Sequence, residues 1–316
     1  MRQKNTFLRW PSSLLPVLAL FGARPLGMTS VSPVVPTRLV AEAVIREDGK
    51  GNSTIFLPVT INGKAATVVL GWGSTWGGDV LLQPNMLANY GIVLSKPYQG
   101  MLRGNQGQLD SMRIGTTVMQ NVPAVTYTSM ENPSPQPTGL PPVIGIVGNA
   151  FLAHFDVVVD GPAHRVRLYT PGTELPPGTH WNACSPTQPV PEDKNLGFTM
   201  QIDGHSVVGV MQDNPFPVMN MAAAKLLGLT QHSPNVKKAS EQSNAFGPGS
   251  DLYVVTGLHL TLGSDAFTAG PVHILAHVPL EPPGGPPTIE LTRDNVMHQV
   301  FVLSSNTGRV CLGKHA

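Results

Sequence analysis

The sequence predicts an all-β protein built from two similar β-barrel-like lobes with short helices. The first observation is a β-hairpin signal, in which Asn62-Gly63 separates two apolar runs rich in β-branched residues. The second is its return 141 residues later, where Asp203-Gly204 again separates two apolar runs. The third is the order of several further landmarks, which repeats between the two halves. A recurring order of landmarks indicates an internal repeat, and hence two lobes of one kind.

Short helices are predicted at matching places in the two halves. Pro84 suits the first turn of a helix and Gly91 suits its end, which predicts a helix over 84–90. The corresponding segment of the second half covers 222–227 and stops at Gly228. Both helices are minor elements of an otherwise β-rich pattern.

A further hairpin of the first half is predicted over 98–117, with a glycine-rich tip at Gly104 and Gly107. Its last residues, and two later landmarks, recur in the second half with a spacing that drifts by only a few residues. Small loop insertions explain this drift. The recurring landmarks are Arg113-Ile114-Gly115 with Thr261-Leu262-Gly263, Pro123 with Pro271, and 165–168 with 309–312.

The domain organisation follows from the repeat. The N-terminal lobe is predicted over 39–170 and the C-terminal lobe over 196–316. Between them, the stretch 171–195 is rich in proline, glycine, threonine and serine and shows little periodicity. Such a composition predicts a linker between the two lobes.

The N-terminus resembles an export signal over 1–28. Arg2, Lys4 and Arg9 form a basic region and 14–21 an apolar one, with small residues after it. The apolar run is too short to span a bilayer comfortably, and no later run is long enough. We therefore expect a periplasmic or secreted protein with no membrane contact beyond this signal peptide.

Composition excludes several classes of partner. Charged residues make up 12% of the chain and the net charge is +1, which gives no basis for binding nucleic acid or an anionic membrane. The ten histidines never take metal-ligand spacing with one another, with cysteine or with acidic residues. We therefore expect neither a metal nor a cofactor.

The two cysteines, Cys184 and Cys311, could form a disulfide. An oxidising compartment would let them join, whereas separation in space would leave two free thiols. The sequence alone leaves both states open.

The first hairpin leads into a glycine-containing loop that resembles a known motif. An apolar run is followed by Gly71-Trp72-Gly73-Ser74. This stretch resembles the active-site loop of aspartic proteases of the pepsin and retropepsin type, in which an apolar strand ends in Asp-Thr-Gly-Ser or Asp-Thr-Gly-Ala. The glycine and the small hydroxyl residue are kept here. Gly71 stands at the aspartate position and Trp72 at the threonine position.

A second segment carries the same resemblance. Ile146-Val147-Gly148 and the residues up to 152 form an apolar run, a glycine and a short helix, which in the family passes beneath the catalytic loop. In the second half, Thr292 occupies the place of Gly148. The resemblance implies an all-β, two-lobed fold of the pepsin/retropepsin (acid protease) type, with a substrate cleft between the lobes.

The family's chemistry uses two carboxylates, one from each lobe, that lie close enough to share a proton. One activates a water molecule and the other polarises the substrate carbonyl. The repeat places Gln212 at the second aspartate position, followed by Asp213 and Asn214. Glutamine cannot ionise near neutral pH and glycine has no side chain. Neither Gly71 nor Gln212 can therefore serve as acid or base.

Asp213 leaves an alternative open. A shift of one residue would bring it to the acid position, although in a strand the same shift turns the side chain to the opposite face. The protein would then be an active aspartic endopeptidase that uses Asp213. A further alternative is a non-enzymatic envelope protein whose lobes serve only as a scaffold. Trp72, at the floor of the cleft, would either stack on a ligand or fill the space of the missing carboxylates.

The leading hypothesis is an exported aspartic-protease-like protein that lacks both catalytic aspartates and binds a peptide or a protein in the cleft between the lobes. The protein is expected to act as a monomer. The predicted cleft residues are Gly71, Trp72, Gly73, Ser74, Gln212, Asp213 and Asn214.

Overall fold

The two halves of the chain fold with closely similar orders of strands and turns. The predicted signal peptide lies outside the residues that the structure describes, as do Gly73, Ser74 and Asn214. All described residues belong to one contact unit, Val34–Ala316. The computed structural model describes residues 37–47, 53–72, 79–99, 103–127, 136–190, 196–213, 216–239, 252–267, 270–275 and 285–315.

Within the described residues, the first half contains ten strands and two short helices. A 3-10 helix (Pro84–Tyr90) follows β4, and helix α1 (Asn149–Leu152) follows β8. The strands are β1 (Leu39–Glu47), β2 (Ser53–Ile61), β3 (Lys64–Leu70), β4 (Val80–Leu82), β5 (Lys96–Gln99), β6 (Arg103–Ile114), β7 (Thr117–Tyr127), β8 (Val143–Val147), β9 (Asp156–Asp160) and β10 (Arg165–Tyr169).

The described part of the second half contains twelve strands, a helix α2 (Met221–Leu226) after β14, and a 3-10 helix (Arg293–Asn295) after β20. The strands are β11 (Thr179–Pro189), β12 (Leu196–Ile202), β13 (His205–Met211), β14 (Val218–Met219), β15 (Val236–Lys238), β16 (Leu252–Val255), β17 (Leu260–Leu262), β18 (Asp265–Ala266), β19 (Val272–Leu275), β20 (Thr288–Leu291), β21 (Val300–Ser304) and β22 (Arg309–His315).

The two matching hairpins are confirmed. Strands β2 and β3 pair antiparallel, and the connecting residues Asn62 and Gly63 take positive φ angles of 48° and 81°. Strands β12 and β13 repeat this geometry through Asp203 and Gly204, with φ angles of 49° and 81°. Positive φ at both central residues gives the turn a twist that matches the strands, and asparagine, aspartate and glycine tolerate it best.

The predicted helices are also confirmed, with small differences at their ends. The first is a 3-10 helix that ends at Gly91, whose φ of 63° turns the chain out of the helix. The second, α2, begins one residue before the predicted segment. Its start is set by Asn220, whose side chain accepts a hydrogen bond from the Ala223 N–H at 2.9 Å. Such a cap satisfies one of the N–H groups that the first turn leaves without a helical partner.

The glycine-rich tip predicted at Gly104 and Gly107 is wrong. Strand β5 ends at Gln99 and pairs with β6, and both glycines lie within β6. Gly107 is explained by packing, because a Cβ atom on it would lie 2.9 Å from Cδ2 of Leu94. The missing side chain lets β6 pass close to the segment that precedes β5.

Six antiparallel strands join the two lobes within a larger continuous sheet. Their central pair is β9 and β21, which align Asp160 with Val300 and Asp156 with Ser304. Outward from this pair the order is β10 then β1 on one side, and β22 then β11 on the other. Each lobe therefore contributes three strands to a shared sheet, in the same order from its centre.

The structure differs from the predicted linker over 171–195. Strand β11 lies within this stretch and pairs with β22 and, at its end, with β12. Two prolines, Pro186 and Pro189, and a mixture of polar residues interrupt the alternation of apolar side chains that would have indicated a strand. The C-terminal lobe thus begins at β11, because this strand occupies the place that β1 holds in the first lobe.

Cys184 and Cys311 form a disulfide between β11 and β22. The two residues are direct partners in the strand register, with Cα atoms 4.1 Å apart. The bond fastens β11 to the shared sheet and joins points that are 127 residues apart in the sequence.

One main apolar core extends through both lobes, and its largest fully buried side chains include Trp72, Phe151, Phe198 and Phe301. Phe198 of the second lobe packs against Phe301 of the shared sheet, with ring centroids 6.4 Å apart. No helix in the described part of the chain is long and apolar enough to cross a membrane.

Candidate functional site

Residues Gly71 and Gln212 occupy equivalent positions in the two lobes. Strand β3 runs parallel to β8, and the Gly71 N–H donates to the Val147 carbonyl at 2.9 Å. Strand β13 runs parallel to β20, and the Gln212 N–H donates to the Leu291 carbonyl at 2.8 Å. Because both N–H groups complete the same backbone pattern, residue 71 matches residue 212 in space, and the residues that follow, 72 and 213, match as well.

A carboxylate of the second lobe contacts the first lobe at this point. Oδ2 of Asp213 accepts a hydrogen bond from the Trp72 N–H at 2.8 Å. It also lies against Gly71, because a Cβ atom added to Gly71 would overlap Oδ2 and lie 3.4 Å from Cγ of Asp213. The carboxylate of Asp213 therefore occupies the space that a side chain at position 71 would need. Only glycine leaves that space open.

The described residues of the two loops thus hold one carboxylate, where aspartic-protease chemistry uses a pair. Gly71 has no acid, and Gln212 is a half-buried amide that cannot ionise. The carboxylate of Asp213 comes from the position that follows the acid position, and it is exposed. Its hydrogen bond links the two lobes, and a charged acceptor makes such a bond stronger than one between neutral groups.

The side chain of Trp72 is completely buried in the main core. Its Nε1 donor has no hydrogen-bond partner among the described residues. Of the two roles that the sequence left open, this position agrees with filling, since a fully buried ring has no face available to a ligand. The cost is a buried donor without an acceptor, which lowers the stability that the ring's apolar burial provides.

An apolar surface lies beside Gly71, on the face of β8 opposite the core. Cγ2 of Ile146 is 3.5 Å from the Cβ position of residue 71. The strand register places Leu81 next to Ile146, and Val125 next to Leu81, so the three side chains share one face. We call Ile146, Leu81 and Val125 the N-lobe row. Tyr98 of β5 packs on it, and both Tyr98 and Ile146 remain partly exposed.

The second lobe has an equivalent row with different chemistry. Strand β14 pairs with β20 and β19 so that Val218 lies between Glu290 and His273. Position by position, Glu290 matches Ile146, Val218 matches Leu81, and His273 matches Val125. We call Glu290, Val218 and His273 the C-lobe row. The rows differ because two apolar side chains of the first lobe are replaced by ionisable ones in the second.

The ring of Phe216 stacks on His273, with ring centroids 3.6 Å apart and ring planes at 26°. Burial lowers the pKa of His273 below its usual value, against a smaller opposing effect of the Pro217 backbone. Its Nδ1 atom is buried and has no hydrogen-bond partner within the described part of the chain. The imidazole is therefore neutral at neutral pH, and the charge of the C-lobe row is that of Glu290.

None of the other described carboxylates of the first lobe provides one of the three atoms nearest to the Cβ position of Gly71. Asp79 has a side chain that is 15% exposed, and its Oδ2 lies 3.5 Å from Nε2 of His154. Asp156 and Asp160 are fully buried in β9 of the shared sheet. Burial raises the pKa of Asp156, while hydrogen bonds from Ser304 and from backbone groups lower it by less.

No metal centre is found among the residues that the structure describes, where no three or more histidine, cysteine, aspartate or glutamate side chains form a suitable group. The sequence did not point to the two rows. The sequence held only one indication of the two rows. Strands β8 and β20 lie beneath the two loops, and they carry Ile146 and Glu290 at the same position relative to the loop residues. That equivalence emerges only once the register of four strands is known.

The fold is that of the pepsin-like aspartic proteases. The aspartic proteinase from Irpex lacteus aligns with 89% of this chain and 98% of its own, with a TM-score of 0.50 and 10% identity. A retropepsin-like aspartic protease from Rickettsia conorii aligns with 43% of this chain and 94% of its own, with a TM-score of 0.31 and 16% identity. No protein-family model matches the chain, and no curated protein does. The predicted all-β fold with short helices is confirmed.

Proposed function

We propose that this protein is an exported, aspartic-protease-like protein without peptidase activity, which binds a peptide segment in the cleft between its lobes. The observation that carries the proposal is the contact between Asp213 and the opposite loop. The Asp213 carboxylate accepts the Trp72 N–H and occupies the side-chain space of position 71. An acid at position 71 and this arrangement of Asp213 exclude each other.

The absence of activity follows from proton chemistry. Hydrolysis by an acid pair needs one ionised and one protonated carboxyl group at short distance, so that one activates water and the other donates a proton. The matched positions supply no side chain at Gly71 and an amide at Gln212. Asp213 alone can accept a hydrogen bond from a ligand or a water molecule, but it has no partner acid at position 71 with which to share a proton.

Peptide binding is supported by the apolar surface beside the loops. Ile146 is partly exposed next to Gly71, Tyr98 is partly exposed where it packs on the N-lobe row, and Leu81 and Val125 are the buried members of that row. Apolar surface of this kind in a concave site binds side chains, while nearby polar groups fix their orientation. Tyr98 lies on the β5–β6 hairpin, which places an aromatic ring over the apolar row.

Export is supported by two separate features. The signal-like stretch over 1–28 combines a basic region with an apolar one. The Cys184–Cys311 disulfide fits an oxidising compartment, because the reducing conditions of the cytosol keep the thiols of most cytosolic proteins reduced. Cell fractionation of the expressed protein, with mass spectrometry of its N-terminus, tests this part. A full-length chain recovered only from the cytosol with reduced cysteines would contradict it.

The central test has two measurements on the purified chain. A library of unfolded peptides is incubated at acid and neutral pH and analysed for cleavage, and binding of the same peptides is measured by fluorescence polarisation. We expect binding without cleavage. Cleavage that is blocked by a transition-state peptide mimic would overturn the inactive assignment.

A second candidate function is an active endopeptidase that uses Asp213. It is favoured by one observation, namely that the Asp213 carboxylate is exposed and lies against the first lobe's acid position. Substitution Asp213→Asn separates the two candidates. Any cleavage that is lost in Asp213→Asn would establish this second candidate, whereas cleavage that is unchanged would exclude a role for Asp213 in it.

A further inference from the structure

The surfaces beside the two loops differ in charge, although the two lobes share one backbone plan. The N-lobe row flanks Gly71, since Ile146 lies 3.5 Å from the Cβ position of that residue. The C-lobe row flanks Gln212 in the same way, because Glu290 directly precedes Leu291, whose carbonyl accepts the Gln212 N–H. The two rows therefore lie on either side of the contact between the two loops.

The C-lobe row faces away from the apolar core. Met219 of β14 and Leu291 of β20 are buried in the main core, and successive residues of a strand point to opposite faces. Val218 and Glu290 are their neighbours in sequence and so lie on the other face. Glu290 is partly exposed there.

The charge beside Glu290 is negative, whereas Lys237 of β15 lies at the far end of the same row of paired residues, beyond His273 and Val254. Strands β14, β19 and β20 contain no lysine or arginine, and His273 is neutral at neutral pH because it is buried. Glu290 and the exposed Asp213 both carry carboxylates. Glu290 already has a partner within the fold. A carboxylate offers two oxygens and about four acceptor sites, so capacity for a ligand remains.

The surroundings of Glu290 suit a long side chain with a cationic end. Val218, its direct neighbour on β14, is buried against Phe216, whose partly exposed side chain offers apolar contact to an aliphatic stem. The stacked ring of Phe216 lies beyond it on His273 and can face a cation. With strands about 4.8 Å apart, Glu290 and His273 are separated by roughly 10 Å, which is within the reach of lysine or arginine.

We infer that the C-lobe row binds a lysine or arginine side chain of a peptide whose neighbouring apolar residue binds on the N-lobe row. Glu290 is the specificity-determining residue, because its match in the first lobe is the apolar Ile146. The inference rests on the proposed function, since it names the chemical class of the peptide that the cleft accepts.

The test compares unstructured octapeptides that differ at one position. Each peptide has a background of serine and alanine and contains leucine next to lysine, glutamine or glutamate. Both orders of the two neighbouring residues are synthesised. Binding to the purified chain is measured by fluorescence polarisation. We expect the leucine-lysine peptide to bind about fivefold more tightly than the leucine-glutamine peptide, as for a partly exposed charge pair, and the leucine-glutamate peptide to bind most weakly.

The variant Glu290→Gln keeps the shape of the side chain and removes its charge. We expect it to abolish the preference for lysine while it still binds the leucine-glutamine peptide. Asp265→Asn is the matched control, because it removes one carboxylate from β18, outside both rows. It should keep the preference. Circular dichroism melting curves verify that both variants are folded.

The outcomes separate this inference from the function on which it rests. Peptides that bind with no preference for lysine, or a preference that survives in Glu290→Gln, would overturn the inference and leave the proposed function intact. If no peptide binds at all, the proposed function is wrong, and the inference falls with it.

Discussion

The carboxylate of Asp213 in one lobe fills the side-chain space of Gly71 in the other. This links the two residues sterically, since any side chain at position 71 must displace the carboxylate that accepts the Trp72 N–H. Glycine at one position and aspartate at the other therefore form a matched pair. Introducing an aspartate at position 71 alone would place two carboxylates in one space rather than rebuild an acid pair.

The steric link predicts a strong coupling between substitutions. Gly71→Ala should lower the free energy of unfolding by about 1–3 kcal/mol, because its methyl group meets Oδ2 of Asp213. In Asp213→Ala as background, the same substitution should cost much less, and a double-mutant cycle in urea measures the difference. Gly270→Ala is the control, since a Cβ atom there meets nothing within 4 Å. Additive effects of Gly71→Ala and Asp213→Ala would contradict the steric pairing.

The buried carboxylate of Asp156 predicts a stability that rises in acid. Burial raises its pKa in the folded state above the ordinary value, so folding favours the protonated form. The corresponding stability is complete below the ordinary aspartate pKa and is lost as the pH rises through the folded-state pKa. Asp156→Asn removes the charge and should raise the free energy of unfolding at pH 7 by on the order of 1 kcal/mol.

Urea unfolding of the parent and of Asp156→Asn, measured from pH 3 to pH 8, tests this expectation. The advantage of the variant should disappear at the acid end, where Asp156 is protonated in both states. Asp110→Asn serves as the control because Asp110 is exposed on β6. An advantage of Asp156→Asn that is equal at all pH values would show that the effect is one of packing rather than of charge.

The disulfide predicts a loss of stability on reduction. Cys184→Ser with Cys311→Ser should lower the free energy of unfolding by about 2–4 kcal/mol, because the bond restricts the unfolded chain over a long loop. Calorimetry of the variant, and of the parent with and without reductant, measures the change. A parent whose melting temperature does not respond to reduction would show that the bond is absent in solution or that β11 is held by its strand contacts alone.

The N-lobe row predicts a specific loss of peptide binding. Ile146→Ser removes the apolar side chain nearest Gly71 and should weaken binding of an apolar peptide about tenfold, as expected for the loss of a buried aliphatic contact. Fluorescence polarisation measures the affinity. Val93→Ser is a suitable control, since Val93 is an exposed apolar residue, 79% accessible, outside the row. Equal losses in both variants would argue against a peptide site at this row.

Much of the fold could be predicted from local signals. The turns at Asn62-Gly63 and Asp203-Gly204 and the helix between Pro84 and Gly91 were predictable because they depend on φ angles that few residue types adopt. Strand β11 was not, because its residues are stabilised by pairing with distant β22 rather than by a pattern of their own. Gly104 and Gly107 lie within β6 and mark no turn, because glycine also serves close packing within strands.

The candidate site divides in the same way. The sequence alone determined that both acid positions of the aspartic-protease pattern lack aspartate, since a side chain's capacity to ionise belongs to the residue itself. It also determined the two-lobed repeat, because turn and helix signals are local. Only the tertiary structure decided that Asp213 reaches Gly71. The same holds for the equivalence of Glu290 and Ile146, which places a charged residue in one lobe where the other has an apolar one. Both relationships depend on the register of strands far apart in the chain, which side-chain packing and backbone hydrogen bonding select together.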